Sequence, residues 1–87
     1  MDKIISVTEY KPYGKINITL SKLMDKYNIS IYQMAKLTNL KYTTIKSYYY
    51  YEEDPITRVD LDVLAKMCYV LECNVKDILN YTGPEVN

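Results

Sequence analysis

Residues 30–51 read SIYQMAKLTNLKYTTIKSYYYY. Ser30 and Gln33 stand in the S-x-x-Q spacing of a capping box, in which each side chain satisfies an orphan backbone N–H of a helix's first turn. A helix therefore starts after Ser30, with Ile31, Met34, Ala35 and Thr38 on its inner face. Ala35 is small enough to let a following helix cross closely above it. Asn39, a residue tolerated at positive φ, makes a tight turn, and Leu40 points back to the core. A second helix is expected over 42–50. Ile45, Tyr48 and Tyr49 lie at i, i+3 and i+4 and face inward. Tyr42, Thr43, Lys46, Ser47 and Tyr50 lie at i, i+1, i+4, i+5 and i+8 and share the opposite face. A helix pair of this shape sets polar side chains against base edges in a DNA groove.

Working outward, Leu20, Leu23, Met24 and Tyr27 have helical spacing and predict a helix over 18–27, capped by Asn17 or Thr19 and ended by Asn28. Upstream, residues 4–10, IISVTEY, alternate and are rich in β-branched residues, so an extended strand is expected, closed by Pro12 and Gly14. Such a strand needs a partner in the C-terminal tail or in a second subunit. Downstream, Pro55 ends the central pair. Asp60 is a good N-cap for a fourth helix with Leu61, Leu64, Ala65, Cys68 and Leu71 as its stripe and Met67 extending it. Asn74 caps a short fifth helix, and Asp77 favours its positive end. Val75, Ile78 and Leu79 finish the core, and YTGPEVN is a non-helical end. The expectation is an all-α, compact five-helix domain over 16–81, preceded by an N-terminal extension or strand (1–15) and followed by a tail (82–87).

Eighty-seven residues make one small domain. The net charge is zero but unevenly placed. Residues 1–51 hold eight Lys against Asp2, Glu9 and Asp25, a net of +5, and residues 52–87 hold Arg58, Lys66 and Lys76 against eight acids, a net of −5. The basic half contains the helix pair, so one face carries a positive field on a neutral chain.

Other chemistries find little footing. There is no His, and a zinc site wants four N, S or O ligands. Cys68 and Cys73 are small core hydrophobes rather than ligands. Gly14 and Gly83 are isolated, so no phosphate-cradling loop is present. No catalysis, cofactor or metal is expected. No apolar run approaches the ~20 residues of a membrane span, and the N-terminus lacks the apolar block of a signal peptide. A cytoplasmic protein with reduced thiols, and no membrane partner, is expected.

The segments LSKLMDKYNIS, IYQMAKLTNL, YTTIKSY and VDLDVLAKMCYVLECNVKDILNY together resemble the Xre family of phage Cro/repressor-type helix-turn-helix regulators, in its small single-domain bacterial form. The resemblance covers 19–81. Ala35, Leu40 and Ile45 stand where the family places its small residue of the second helix, its first apolar residue after the turn and the buried residue of the third helix. Asn39 replaces the family's usual Gly, Lys41 its Ser or Thr, and Glu52, Glu53 and Asp54 its basic or Gly-rich loop. The resemblance implies a regulator, most often a repressor, that binds operator DNA as a homodimer with its third helix in the major groove.

On that reading Lys41 and Lys46 pair with phosphates, or Lys46 reaches guanine O6/N7 instead. Thr43 and Ser47 hydrogen-bond base edges, and the Thr43 methyl touches a thymine methyl. Tyr42 and Tyr50 lie at the two ends of the face, near the sugar-phosphate strand. Amides near Ser30 bind phosphate. Tyr51 stays available for DNA or subunit contact. The dimer surface is expected at the N-terminal strand or near Tyr81. The alternative is a protein-interaction module of the same fold, antitoxin-like or antirepressor, favoured by the acidic loop and the neutral charge.

Overall fold

The computed structural model describes residues 13–84. In chain order they form β1 (Lys15–Ile18), α1 (Leu20–Lys26), α2 (Ile31–Thr38), α3 (Tyr42–Tyr49), α4 (Leu61–Leu71), α5 (Val75–Ile78) and β2 (Leu79–Thr82). Five helices stand where the periodicity places them, but the domain is not purely α. β1 and β2 make an antiparallel ribbon with Lys15 opposite Thr82 and Ile18 opposite Leu79. The strand expected over 4–10 lies outside the described residues. The C-terminal end, expected to be non-helical and a possible strand partner, supplies Tyr81 and Thr82 of β2.

The ribbon closes the domain by joining its two ends. Gly14 has φ +81°, and a Cβ there would run into the Thr82 carbonyl oxygen and the Gly83 backbone, so only glycine fits this close approach. Thr19 holds the other end. Its N–H donates to the Ile78 carbonyl at 2.7 Å, and its hydroxyl donates to the Asp77 carbonyl and accepts from Asn80. The hydroxyl makes no capping bond to α1, contrary to the role expected of it, because the α5–β2 corner engages it.

The core draws on all seven elements. Leu20, Met24, Met34, Ile45, Met67 and Ile78 are fully buried, with Ile18, Leu64, Tyr48 and Leu71 nearly so and Leu79 packed against them. Each such side chain contributes roughly 1.5–3 kcal/mol. α4 is rotated from expectation. Val63, Leu64, Met67 and Leu71 are buried, whereas Leu61 is 78% exposed and Ala65 faces solvent. The sequence LDVLAKMCYVL is apolar nearly all round, so two overlapping stripes satisfy helical spacing. Tertiary bonds select one. The Asp60 carboxylate accepts from the Asp62 and Val63 amides, and the Asp60 N–H donates to the Tyr48 hydroxyl at 2.9 Å. Val75, expected in the core, is also exposed.

Three helices end in the same way. After α1, α2 and α4 a residue turns left-handed: Asn28 (φ 58°), Asn39 (φ 57°) and Glu72 (φ 51°). In each case the next N–H donates to the carbonyl five residues back: Ile29 to Met24 at 2.8 Å, Leu40 to Ala35 at 3.0 Å and Cys73 to Cys68 at 3.1 Å. These are Schellman turns, which satisfy the last carbonyls of a helix and reverse the chain. Asn suits the left-handed conformation; Glu pays for it, since a Cβ-bearing residue loses about 1–2 kcal/mol there.

The four consecutive tyrosines divide their work. The Tyr48 ring is buried and its hydroxyl holds the α4 N-cap. Tyr49 donates to Asp25 Oδ1 on α1 at 2.7 Å. Tyr51, half-buried against the core, donates to the Ile16 carbonyl of β1 at 2.8 Å, so it is scaffold rather than free for partners. Only Tyr50 is exposed, its ring edge-to-face with Tyr49 at 4.9 Å. The hydrogen bond to Asp25, followed by burial, raises the Tyr49 phenol above its ordinary pKa. Burial, with the neighbouring Cys68 sulfur adding to it, pushes the Cys73 thiol up to about 11.

Two predictions follow from this frame. Glu72→Gly relieves the strained turn and is expected to stabilise the domain by up to about 1 kcal/mol, raising the thermal midpoint by roughly 4–8 °C; a lowered midpoint contradicts the assigned turn. Tyr49 and Cys73 both hold their protons more tightly in the folded chain. The stability they contribute is full below their ordinary pKa values and is lost as pH rises through the folded ones. Melting midpoints should therefore hold up to pH 9 and fall between pH 9 and 11, less steeply in Cys73→Ala. A pH-independent midpoint across that window would count against both assignments.

Candidate nucleic-acid interface

The interface is built by α2 and α3, which pack on each other across the Asn39 turn. The capping box at the start of α2 is complete. The Gln33 N–H donates to Ser30 Oγ at 3.1 Å, and the Ser30 N–H donates to Gln33 Oε1 at 2.9 Å. Ser30 thus spends its side chain and amide inside the protein. The first-turn amides of Ile31 and Tyr32 remain without an intrahelical partner. The positive end of the helix dipole, together with those two amides, faces outward beside Ser30.

At α3, Met34, Ala35 and Thr38 of α2 and Ile45 and Tyr48 of α3 are buried, and the Thr38 hydroxyl is satisfied by the Met34 carbonyl at 2.7 Å. The outward face is therefore what periodicity predicts. Tyr42, Thr43, Lys46 and Tyr50 are exposed and Ser47 is half-buried. Lys41 occupies the N-cap position in extended conformation and makes no side-chain cap, which leaves the Tyr42 and Thr43 amides open at the helix start. The structure leaves Lys41, Tyr42, Thr43, Lys46 and Tyr50 exposed and Ser47 half-buried along α3, with Ser30 at the head of α2 sharing a groove with Tyr50.

Ser47 carries a constraint invisible in its spacing. Its hydroxyl donates to the Thr44 carbonyl at 2.8 Å. The proton is engaged within the helix, and the oxygen is left as an acceptor only. The groove between the head of α2 and the end of α3 is lined by Asn28, Ser30, Gln33, Tyr49 and Tyr50. Asn28 and Gln33 are polar groups beside the face that spacing alone did not single out, because their position depends on how α1 meets α2.

The acidic loop follows directly on the end of α3. The Glu53 and Asp54 amides donate to the Tyr50 carbonyl, folding the chain back on the end of α3. Glu52 lines a groove on the α1 side together with Lys22, Lys26 and Asp77. Lys26 and Lys36 lie over the rings of Tyr27 and Tyr32 at 5.5 and 5.1 Å, in cation–π geometry. Among the described residues there is no group of three or more His, Cys, Asp or Glu able to hold a metal ion, and no helix is long and apolar enough to cross a membrane.

Residues 19–84 match the sequence profile of the Cro/C1-type helix-turn-helix DNA-binding domain. Among solved structures, the crystal structure of the transcriptional regulator VanUg (form II) superimposes with a TM-score of 0.61 at 18% identity, over 88% of this chain and 95% of that one. At that identity the likeness shows the fold. No curated protein matches the chain. The profile spans most of the sequence, including the capping box, the left-handed turn and the outward face of α3, and the chain belongs to the family of Cro/C1-type helix-turn-helix DNA-binding domains.

Proposed function

We propose that the protein is a sequence-specific, double-stranded DNA-binding repressor that reads the major groove with α3. The observation that carries this reading is the surface of α3: Tyr42, Thr43, Lys46 and Tyr50 exposed on one side while Tyr48 and Tyr49 on the other, and Tyr51 just past the helix end, bond to three separate elements. A face held this firmly meets base edges with little ordering left to do.

The roles follow from donor and acceptor chemistry. Lys41 and the open amides of Tyr42 and Thr43 take one phosphate, and the amides of Ile31 and Tyr32 beside Ser30 take another. Lys46 donates to guanine O6 or N7, and Thr43 bonds a base edge while its methyl meets a thymine methyl. Ser47, with its proton engaged, accepts from an adenine or cytosine amino group. Tyr50 reaches the sugar-phosphate strand. The protein works as a cytoplasmic, non-enzymatic homodimer on a palindromic operator, with half-sites about 34 Å apart or a multiple. Ile16 and Tyr81, cross-strand partners on the ribbon and both exposed, support a dimer surface near Tyr81.

A second reading keeps the fold and changes the partner. Glu53 and Asp54 are exposed directly after α3, and the net charge is zero. Both features suit a module that binds a basic protein surface. A pull-down from the host beside a mobility-shift assay on the gene's own upstream DNA separates the two.

For the DNA reading, the Thr43→Ala, Lys46→Ala double variant should bind promoter DNA at least about tenfold more weakly than the parent while its circular dichroism is unchanged. Equal affinity overturns the assigned face. Lys41→Ala should weaken binding similarly on specific and random duplex and flatten the log–log salt dependence by about one unit; an unchanged slope removes Lys41 from the phosphate contacts.

A further inference from the structure

The turn after α4 repeats the backbone of the turns after α1 and α2, and its side chains differ in kind. A Schellman turn brings together the side chains of the two residues joined by its long bond. After α1 that pair is Met24 with Ile29, and after α2 it is Ala35 with Leu40, apolar residues packed into or against the core. After α4 the pair is Cys68 with Cys73, which pack against the core in the same way but carry thiols. Both are free thiols of intermediate exposure. Both line one shallow pocket with Leu37, Tyr69 and Asn74, so a small molecule in solvent reaches them. The backbone bond of 3.1 Å from the Cys73 N–H to the Cys68 carbonyl holds the two residues side by side across the turn.

We propose that Cys68 and Cys73 form a reversible dithiol–disulfide site, oxidised by exchange with low-molecular-weight disulfides of the glutathione class. The exchange balances in two steps. The Cys68 thiolate attacks one sulfur of the small disulfide, whose S–S bond breaks. One small thiolate leaves, and Cys68 carries the mixed disulfide. Cys73 then loses its proton to solvent and attacks the Cys68 sulfur, breaking the mixed bond and releasing the second small thiolate. Two protein thiols lose two electrons, the small disulfide gains them, and the released thiolates take up the protons. Burial raises the Cys73 thiol, which suits it to the second, resolving step. Cys73 acts second because its attack is intramolecular and gains from high effective concentration.

The product ties the last turn of α4 to the cap of α5, which runs directly into β2. Oxidation therefore staples the frame and leaves the outward face of α3 untouched, so the site stands whether or not α3 reads DNA.

The test equilibrates the full chain in oxidised and reduced glutathione at graded ratios, then quenches with acid, alkylates and measures intact mass. The expected product is a monomer lighter by two hydrogens, about 2 Da, with no glutathione adduct and a digest peptide linking the two cysteines. Half-oxidation should need an oxidising ratio at least about tenfold lower in the folded chain than in denaturant, equivalent to about 30 mV. A folded chain that is as hard to oxidise as the unfolded one, or that accumulates adducts or intermolecular dimers, overturns the proposal. Cys73→Ser, checked for fold by circular dichroism, should stop at one glutathione on Cys68; an unmodified Cys68 in that variant overturns the order of attack.

Discussion

Three tyrosine hydroxyls on neighbouring residues hold α3 in place, and the remaining geometry depends on them. An eight-residue helix is unstable by itself in water, since nucleation outweighs so few hydrogen bonds. α3 persists because Ile45 and Tyr48 are buried and because Tyr48, Tyr49 and Tyr51 bond to the α4 cap, to α1 and to β1. Those three directions leave α3 little freedom to roll about its axis. The face bearing Tyr42, Thr43 and Lys46 is outward as a consequence of where the tyrosines are tied. Each bond is modest, about 0.5–1.5 kcal/mol net, so their joint effect on orientation exceeds their effect on stability.

The same economy appears in the turns and the charges. Three left-handed residues reverse the chain without a glycine at any of them, so the helices pack with short connections. A chain of zero net charge still presents lysines at the head and middle of α3, where Lys41 and Lys46 are exposed. Local placement of charge governs the field at a binding face, and the sum over the chain does not.

What was legible in the sequence was local. The Ser30–Gln33 box, the Asn39 turn and the two faces of α3 depend on residues within one or two turns of each other, and the structure has them as read. What was missed is long-range. β1 is only KINI, four residues with two polar side chains, and its partner lies more than sixty residues away in the register Ile16 to Tyr81, so nothing local marks it as a strand. Tyr51 looked spare because its acceptor is a backbone carbonyl of β1. The rotation of α4 was undetermined by its nearly all-apolar sequence and was set by Tyr48 and Asp60. Glu72 gives no sign of a left-handed residue; the bonds to Tyr69 and Cys68 carbonyls impose it. Within the candidate site, the outward residues were readable from spacing, whereas the engaged proton of Ser47 was not.

The central claim is that the outward face of α3 and the head of α2 form the nucleic-acid surface. Amide chemical-shift mapping during titration with promoter duplex tests it most directly. The account predicts that the largest perturbations fall on Lys41, Tyr42, Thr43, Lys46 and Ser47, with Ile31 and Tyr32 next, while Cys68 and Cys73 stay still. Perturbations centred on α4 or on the ribbon at Ile16 and Tyr81, with α3 silent, would contradict it.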